Sequence, residues 1–355
     1  MHIAFLHPDL AVTNGTERLI ATVKAAVAEG ARVSLLTRRG PRALALEAAG
    51  AQILEAELPT EPALGIFAQR RTASLLKELA PDLLHTTDGS LAPLTARLAE
   101  RVARPYMVEV MRPVLNSSLS ATKWLQTILV PCETFIEGAV NRAGASRQTL
   151  EVLPHAPDLE RSWSPRSLSE VERPVVATLG TLDEFHGTLV FLEAARRMKR
   201  AGRKLTYLVL GEGSAEMDLR RRVRELDLGE DVIIAAPSMP AGGQGLAEID
   251  LHVSCVTSGS PGWCAVQALG LGIPSVFSAV NCTFALIEDK NNGLLVERNR
   301  PEKLAEQLDV FLDNPRAARR MGAVARQSMR QRELAEPFAK RLTELWDRAL
   351  AGAKS

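Results

Sequence analysis

The sequence predicts an α/β protein made of two doubly wound, parallel-sheet domains. Three observations carry this. Short apolar, β-rich runs alternate with longer helical patterns along the whole chain. The alternation stops over residues 154–174 (PHAPDLERSWSPRSLSEVERP), which hold four prolines and no clean period, and then restarts. The chain has 355 residues, long enough for two domains that each bury a core.

His2–Leu6 reads as a buried strand. Residues 16–29 then show helical spacing, with Leu19, Ile20, Val23 and Val27 on one face, and Gly30 ends the helix. Further strands are expected at Arg32–Thr37, Gln52–Leu54, Asp82–His85, Tyr106–Val110 and Thr127–Val130, with helices near 65–80, 90–103 and 133–143. Strands separated by helices need crossover connections, which make a sheet parallel and cover both of its faces. The second half repeats the scheme. Strands are expected at Val175–Leu179, Leu205–Leu210, Val232–Ala235, Leu251–Ser254 and Ser275–Ser278, and a helix over 188–201. From Pro301 the chain reads as charged helix. Its last segment, 334–350, places Leu334, Phe338, Leu342, Leu345, Trp346 and Leu350 on one stripe, which needs a surface to cover it. The expected division is a domain over 1–160, a linker over 161–173, a domain over 174–330 and a final helix over 331–355.

Composition excludes several classes. Lys+Arg number 43 against 42 Asp+Glu, and residues 1–165 hold 17 of each sign, so neither half is an electrostatic magnet for nucleic acid. Nine Phe, four Trp and two Tyr are too few for a base-stacking platform. The first ten residues lack the apolar stretch of a signal peptide, and no run is long enough to span a membrane. Cys132, Cys255, Cys264 and Cys282 form no CxxC pair, and the six histidines do not cluster. Reduced thiols and a cytoplasmic location are the expectation, with no structural metal.

Four loops follow expected strands and can hold a ligand. The first contains Asn14-Gly15 before a helix N-terminus, where backbone N–H groups can meet a phosphate or a sugar. A capped βα turn explains it equally simply. The second, Gly180-Thr181-Leu182-Asp183-Glu184-Phe185-His186-Gly187, has glycines at both ends, and His186 can add positive charge near an anion. Its bland reading is a solvated loop. Gly211-Glu212-Gly213-Ser214 lacks the third glycine of a dinucleotide fingerprint and also fits a tight turn. In the fourth, Ser258, Gly259 and Ser260 lead through Pro261 into a helix, and Gln267 two turns on has an amide suited to a ribose diol. A surface glutamine on a core helix is the plain alternative. A P-loop and a G-x-S-x-G elbow are missing.

The segments NGTERLIATVKAAVAEGARVSLLT, PHAPD, TLGTLDEFHGTLVFLEAARRM, LTYLVLGEGS, IDLHVSCVTSGSPGWCAVQALGLGIPSVFS, NNGLLV and LDNPRAARRMGAVAR occur in a characteristic order and spacing. On them the chain resembles the family 4 (group 1) glycosyltransferases of the GT-B fold over nearly its full length. The resemblance implies two Rossmann-like domains facing across a cleft. It also implies transfer of a sugar from a nucleotide-diphosphate donor with retention of configuration, without a bound metal or other cofactor. The donor belongs mainly to the second domain and the acceptor to the first, and the final helix returns to the first domain. The acceptor is a glycan, a lipid-linked molecule or a small molecule. Lipid-linked acceptors of many relatives imply peripheral membrane contact, although Arg70-Arg71 with Lys77 also reads as a solvated helix face.

Carried over residue by residue, Gly180, Thr181, His186 and Gly187 would hold the diphosphate beside Gly211 and Gly213. Ser258, Gly259, Ser260 and Gln267 would hold the sugar and ribose, and Asn14-Gly15 would close over the donor. Glu109 and His186 are the candidate catalytic groups. The family's diphosphate-binding Arg and Lys fall at Thr181 and His186, its paired glutamates at Ser258 or Gly259 and at Gln267, and a donor-facing histidine at Met111. Losing two charged hydrogen bonds would cost about 3–6 kcal/mol of donor binding. Two main expectations therefore stand: a divergent retaining glycosyltransferase, and a catalytically silent relative that binds a partner or sugar-containing ligand. A sugar-nucleotide epimerase of the same fold matches the motifs less well.

Overall fold

The computed structural model describes residues 1–11, 13–60, 65–111, 119, 122–156, 168, 171–236, 249–280 and 282–353. The chain forms two compact units. The first comprises Met1–Ala11, Gly15–His155 and Glu336–Ser355, and the second Val12–Asn14 and Ala156–Ala335. Most of the linker expected over 161–173 lies outside the described residues.

The first unit runs β1 (His2–Asp9), α1 (Asn14–Ala28), β2 (Arg32–Arg38), α2 (Ala43–Ala48), β3 (Ala51–Glu55), α3 (Ile66–Leu79), β4 (Leu83–Thr86), α4 (Ala92–Val102), β5 (Tyr106–Glu109), β6 (Leu125–Val130), α5 (Thr134–Ala143) and β7 (Leu150–Val152). Its strands form one parallel sheet in the order β3-β2-β1-β4-β5-β6-β7. The central strands β1 and β4 are apolar on both faces because helices cover both. Helix α1 buries Leu19, Ile20 and Val23 as expected, but Val27 is exposed and Arg18 is buried.

The second unit runs β8 (Val175–Leu179), α6 (Thr188–Arg200), β9 (Thr206–Leu210), α7 (Glu216–Glu225), β10 (Val232–Ala235), β11 (Leu251–Ser254), α8 (Trp263–Leu271), β12 (Ser275–Ser278), β13 (Leu294–Val296), α9 (Pro301–Asp313) and α10 (Pro315–Ala335). Its parallel sheet has the order β10-β9-β8-β11-β12-β13. Both sheets are doubly wound Rossmann-like layers.

Pro337 separates α10 from α11 (Phe338–Gly352), so the final helix starts later than the apolar stripe suggested. Leu334, left on α10, is exposed, whereas Phe338, Leu342, Leu345 and Trp346 are buried. This helix belongs to the first unit. Trp346 meets Phe5 and His85 edge-on, and its Nε1–H donates to His85 Nδ1 at 3.1 Å.

A second departure concerns cysteine: of the four thiols expected to be reduced, Cys255 and Cys264 are free and Cys132 and Cys282 are not. Among the described residues, no helix is long and apolar enough to cross a membrane.

Candidate functional site

In the second unit the strand order reverses between β8 and β11. Loops beyond the carboxyl ends of such strands form the crevice where doubly wound sheets take ligands. The loops 180–187, 211–214 and 257–262 follow β8, β9 and β11.

The first two loops are locked together. Leu182 N–H donates to Glu212 O at 3.0 Å, and Ala215 N–H donates to Leu182 O at 3.0 Å. A Cβ on Gly211 would stand 1.8 Å from Gly180 O, and one on Gly213 would stand 2.3 Å from Leu182 O. These glycines therefore serve close backbone packing. Gly187 combines a left-handed φ of +68° with a virtual Cβ 1.9 Å from Cys255 O. Gly187→Ala is expected to destabilise the second unit by at least about 2 kcal/mol, read as a lower urea midpoint.

His186 is turned inward. Asp183 Oδ1 accepts from the N–H groups of Phe185 and His186 at 2.9 and 3.0 Å, forming a turn that points the ring at Gly180. The ring is only 5% exposed, and burial lowers its pKa. Burial thus favours the uncharged ring. Its Nε2 has no hydrogen-bond partner. The hydroxyls of Thr178 on β8, Ser254 on β11 and Thr188 at the start of α6 are buried and equally unpartnered. Thr181 is half-buried at the entrance of the same loop.

Asn14 is grouped with the second unit and Gly15 with the first. The Asn14 side chain lies against Gly180 and Gly262, where a Cβ on either would come within 2.5 Å of its Nδ2. Its Oδ1 accepts from Cys264 N–H at 3.0 Å, in the first turn of α8. A neutral acceptor thus occupies a helix N-terminus suited to an anion. Nearby, Ser260 Oγ accepts from Gly262 N–H at 3.2 Å, Gly259 has a φ of +97°, and Ser258 is half-buried. Thr257 N–H donates to Phe185 O at 2.8 Å, tying this loop to the first.

Two other candidates are engaged elsewhere. Gln267 is buried, and its Nε2 donates to Ala156 O at 3.2 Å, so this amide holds backbone instead of presenting an open face for a ribose. Glu109 lies fully buried in the first unit, with Oε2 2.5 Å from Arg18 Nε and Oε1 3.2 Å from His85 Nε2. Burial alone would raise its pKa, but Arg18 and His85 outweigh that and hold it at about 2. A carboxylate so paired is a poor proton carrier.

Sequence reasoning missed Arg298. This exposed side chain lies two residues beyond β13, and its Nη1 donates to Thr257 O at 3.3 Å. It supplies a cation at the loop leading to Ser258. Because β13 has only three residues, the loop end was not visible in the pattern. Among the described residues, no group of three or more His, Cys, Asp or Glu side chains is placed to hold a metal ion.

The family model for group 1 glycosyl transferases matches residues 160–328, and that for a glycosyl transferase 4-like domain matches residues 15–178. The chain belongs to the group 1 glycosyltransferases. It is 27% identical over 157 residues to the α-D-kanosaminyltransferase of Streptomyces kanamyceticus, covering 42% of this chain and 39% of that one. It is 23% identical over 232 residues to the 2-deoxystreptamine glucosyltransferase of the same organism, covering 61% and 57%. The chain thus spans well under two thirds of the length of these curated relatives. The structure of Anabaena Alr3699/HepE in complex with UDP-glucose matches with a TM-score of 0.80 at 16% identity, over 98% of this chain and 99% of that one. The fold of this group 1 glycosyltransferase is therefore GT-B, with two Rossmann-like units.

Proposed function

We propose that this group 1 glycosyltransferase moves a hexose from a nucleotide-diphosphate sugar to an acceptor, with retention of configuration and without a bound cofactor. The observation that carries the reading is the set of buried, unpartnered polar atoms at the switch point: Thr178, Ser254 and Thr188 hydroxyls and His186 Nε2. Such groups cost stability unless a ligand or water meets them. The N-terminus of α6 and the glycine loop around Gly180 supply main-chain N–H groups for a diphosphate. Ser258, Gly259 and Ser260 flank the sugar, and Arg298 supplies the charge that Thr181 and the buried His186 do not. In this reading the donor phosphate takes the place of the Asn14 amide at Cys264 N–H. Catalysis then rests on positioning and on stabilising the departing diphosphate.

Thermal melts with UDP, GDP and ADP test donor binding. A nucleotide at ~100 times its Kd is expected to add about 2.7 kcal/mol of stability. Arg298→Ala is expected to weaken the responding nucleotide by about 10- to 100-fold, the equivalent of a charged hydrogen bond. Turnover of the matching sugar nucleotide tests the reaction. No shift with any of the three at millimolar concentration favours the second reading, a catalytically silent binding protein. That reading gains from the glycines, which close packing already explains.

The acceptor side includes a membrane contact in this proposal. At the start of α3, Phe67 is 85% exposed and Ile66 is 54% exposed, beside exposed Arg70 and Arg71. An apolar tip with adjacent cations suits an anionic lipid surface. Co-sedimentation with phosphatidylglycerol vesicles but not phosphatidylcholine vesicles is expected, with loss in Phe67→Ser. Equal sedimentation with both lipids, or with neither, overturns it.

A further inference from the structure

Apart from the short excursion at Val12–Asn14, the chain leaves the first unit at His155/Ala156 and re-enters it at Ala335/Glu336. Both places are tied to one buried guanidinium. Arg18 Nη2 donates to Leu153 O at 3.3 Å, and Nη1 donates to Pro154 O and His155 Nδ1, each at 3.2 Å. The same group lies 5.1 Å over the Phe338 ring, three residues after the re-entry. The excursion itself ends at Asn14, one helical turn before Arg18 on α1.

Arg18 is only 2% exposed and fully committed. Its Nε is paired with Glu109, Glu109 reaches His85, and His85 accepts from Trp346 on α11. A continuous polar chain therefore runs from the returning helix to the outgoing segment, entirely inside the first unit. The next residue outward, Ala156, already belongs to the second unit, where Gln267 holds its carbonyl.

We infer that Arg18 is a positioning residue: it anchors both the outgoing segment at Leu153–His155 and the start of the returning helix at Phe338 to the core of the first unit. Lysine at this site keeps the charge facing Glu109 but loses the planar fork that reaches three partners. The two anchored segments are thereby loosened without removing a group from the donor site.

Hydrogen exchange on the full chain tests this without any substrate. In Arg18→Lys, peptides covering 150–156 and 338–345 are expected to exchange at least tenfold faster, together, while β1 and β4 keep wild-type rates. Glu109→Gln, which keeps the side chain's shape, is expected to act in the same direction and serves where Arg18→Lys does not fold. Unchanged rates at both segments, or acceleration confined to α1, overturn the inference. A second readout rests on the proposed glycosyltransferase activity. Arg18→Lys is expected to lower kcat/KM for UDP-glucose at least tenfold while the Kd for UDP stays within twofold. A wild-type chain that turns over no donor counts against the proposed function alone, because the exchange experiment decides the anchoring independently.

Discussion

Between pH 7 and pH 5 each unit is expected to lose about 2 kcal/mol of stability, through His155 in the first and His252 in the second. Both rings are buried. Burial, with Arg18 adding to it, lowers the pKa of His155 to about 3. Burial, with His186 adding to it, lowers that of His252 to about 3. An unfolded histidine takes a proton near pH 6.5. As pH falls below that value the unfolded state binds a proton that the folded state refuses, so stability falls until the folded pKa near 3 is reached. His186 acts in the same direction, because its pKa is also lowered. Glu109 adds a further loss at lower pH, between its ordinary value of 4.5 and about 2, where its pairing with Arg18 is titrated away. Urea midpoints measured at pH 7, 6 and 5 check this, and His252→Asn is expected to flatten the profile of the second unit. Stability that stays constant from pH 7 to 5 contradicts it.

Glu109→Ala is expected to cost the first unit about 3–5 kcal/mol, because it leaves Arg18 charged and buried without its carboxylate. The double change Arg18→Met with Glu109→Leu is expected to cost less than Glu109→Ala, since no uncompensated charge remains. A double-mutant cycle in urea measures the difference. Equal or additive losses would show that solvent or a neighbouring group already screens the pair.

The sheet architecture was legible because its signals are local. Strands such as Val175–Leu179 and Leu251–Ser254 are short apolar runs closed by glycine or polar loops. The three-residue strands β7 and β13 and the short α2 were not legible, since so few residues carry no period. The site was legible only as a set of loops. Gly180, Gly187, Gly211 and Gly213 do meet in the second unit, but what demands them is the contact each makes, which spacing does not reveal. The inward turn of His186 depends on Asp183 and on burial behind Gly180. Arg18 and Glu109 lie 91 residues apart, so nothing local in the sequence pairs them. Gln267 and Ala156 are 111 residues apart, so nothing local marks that amide as a backbone anchor.

The Trp346–His85 contact bears on how the polypeptide emerges from the ribosome. Phe5 and His85 are made early, yet the ring that covers them arrives only after the entire second unit has been synthesised. During translation the amino-terminal sheet must wait with that patch open, a stage at which chaperones meet nascent chains. The second unit needs no such delayed piece and can complete its core before the last helix appears.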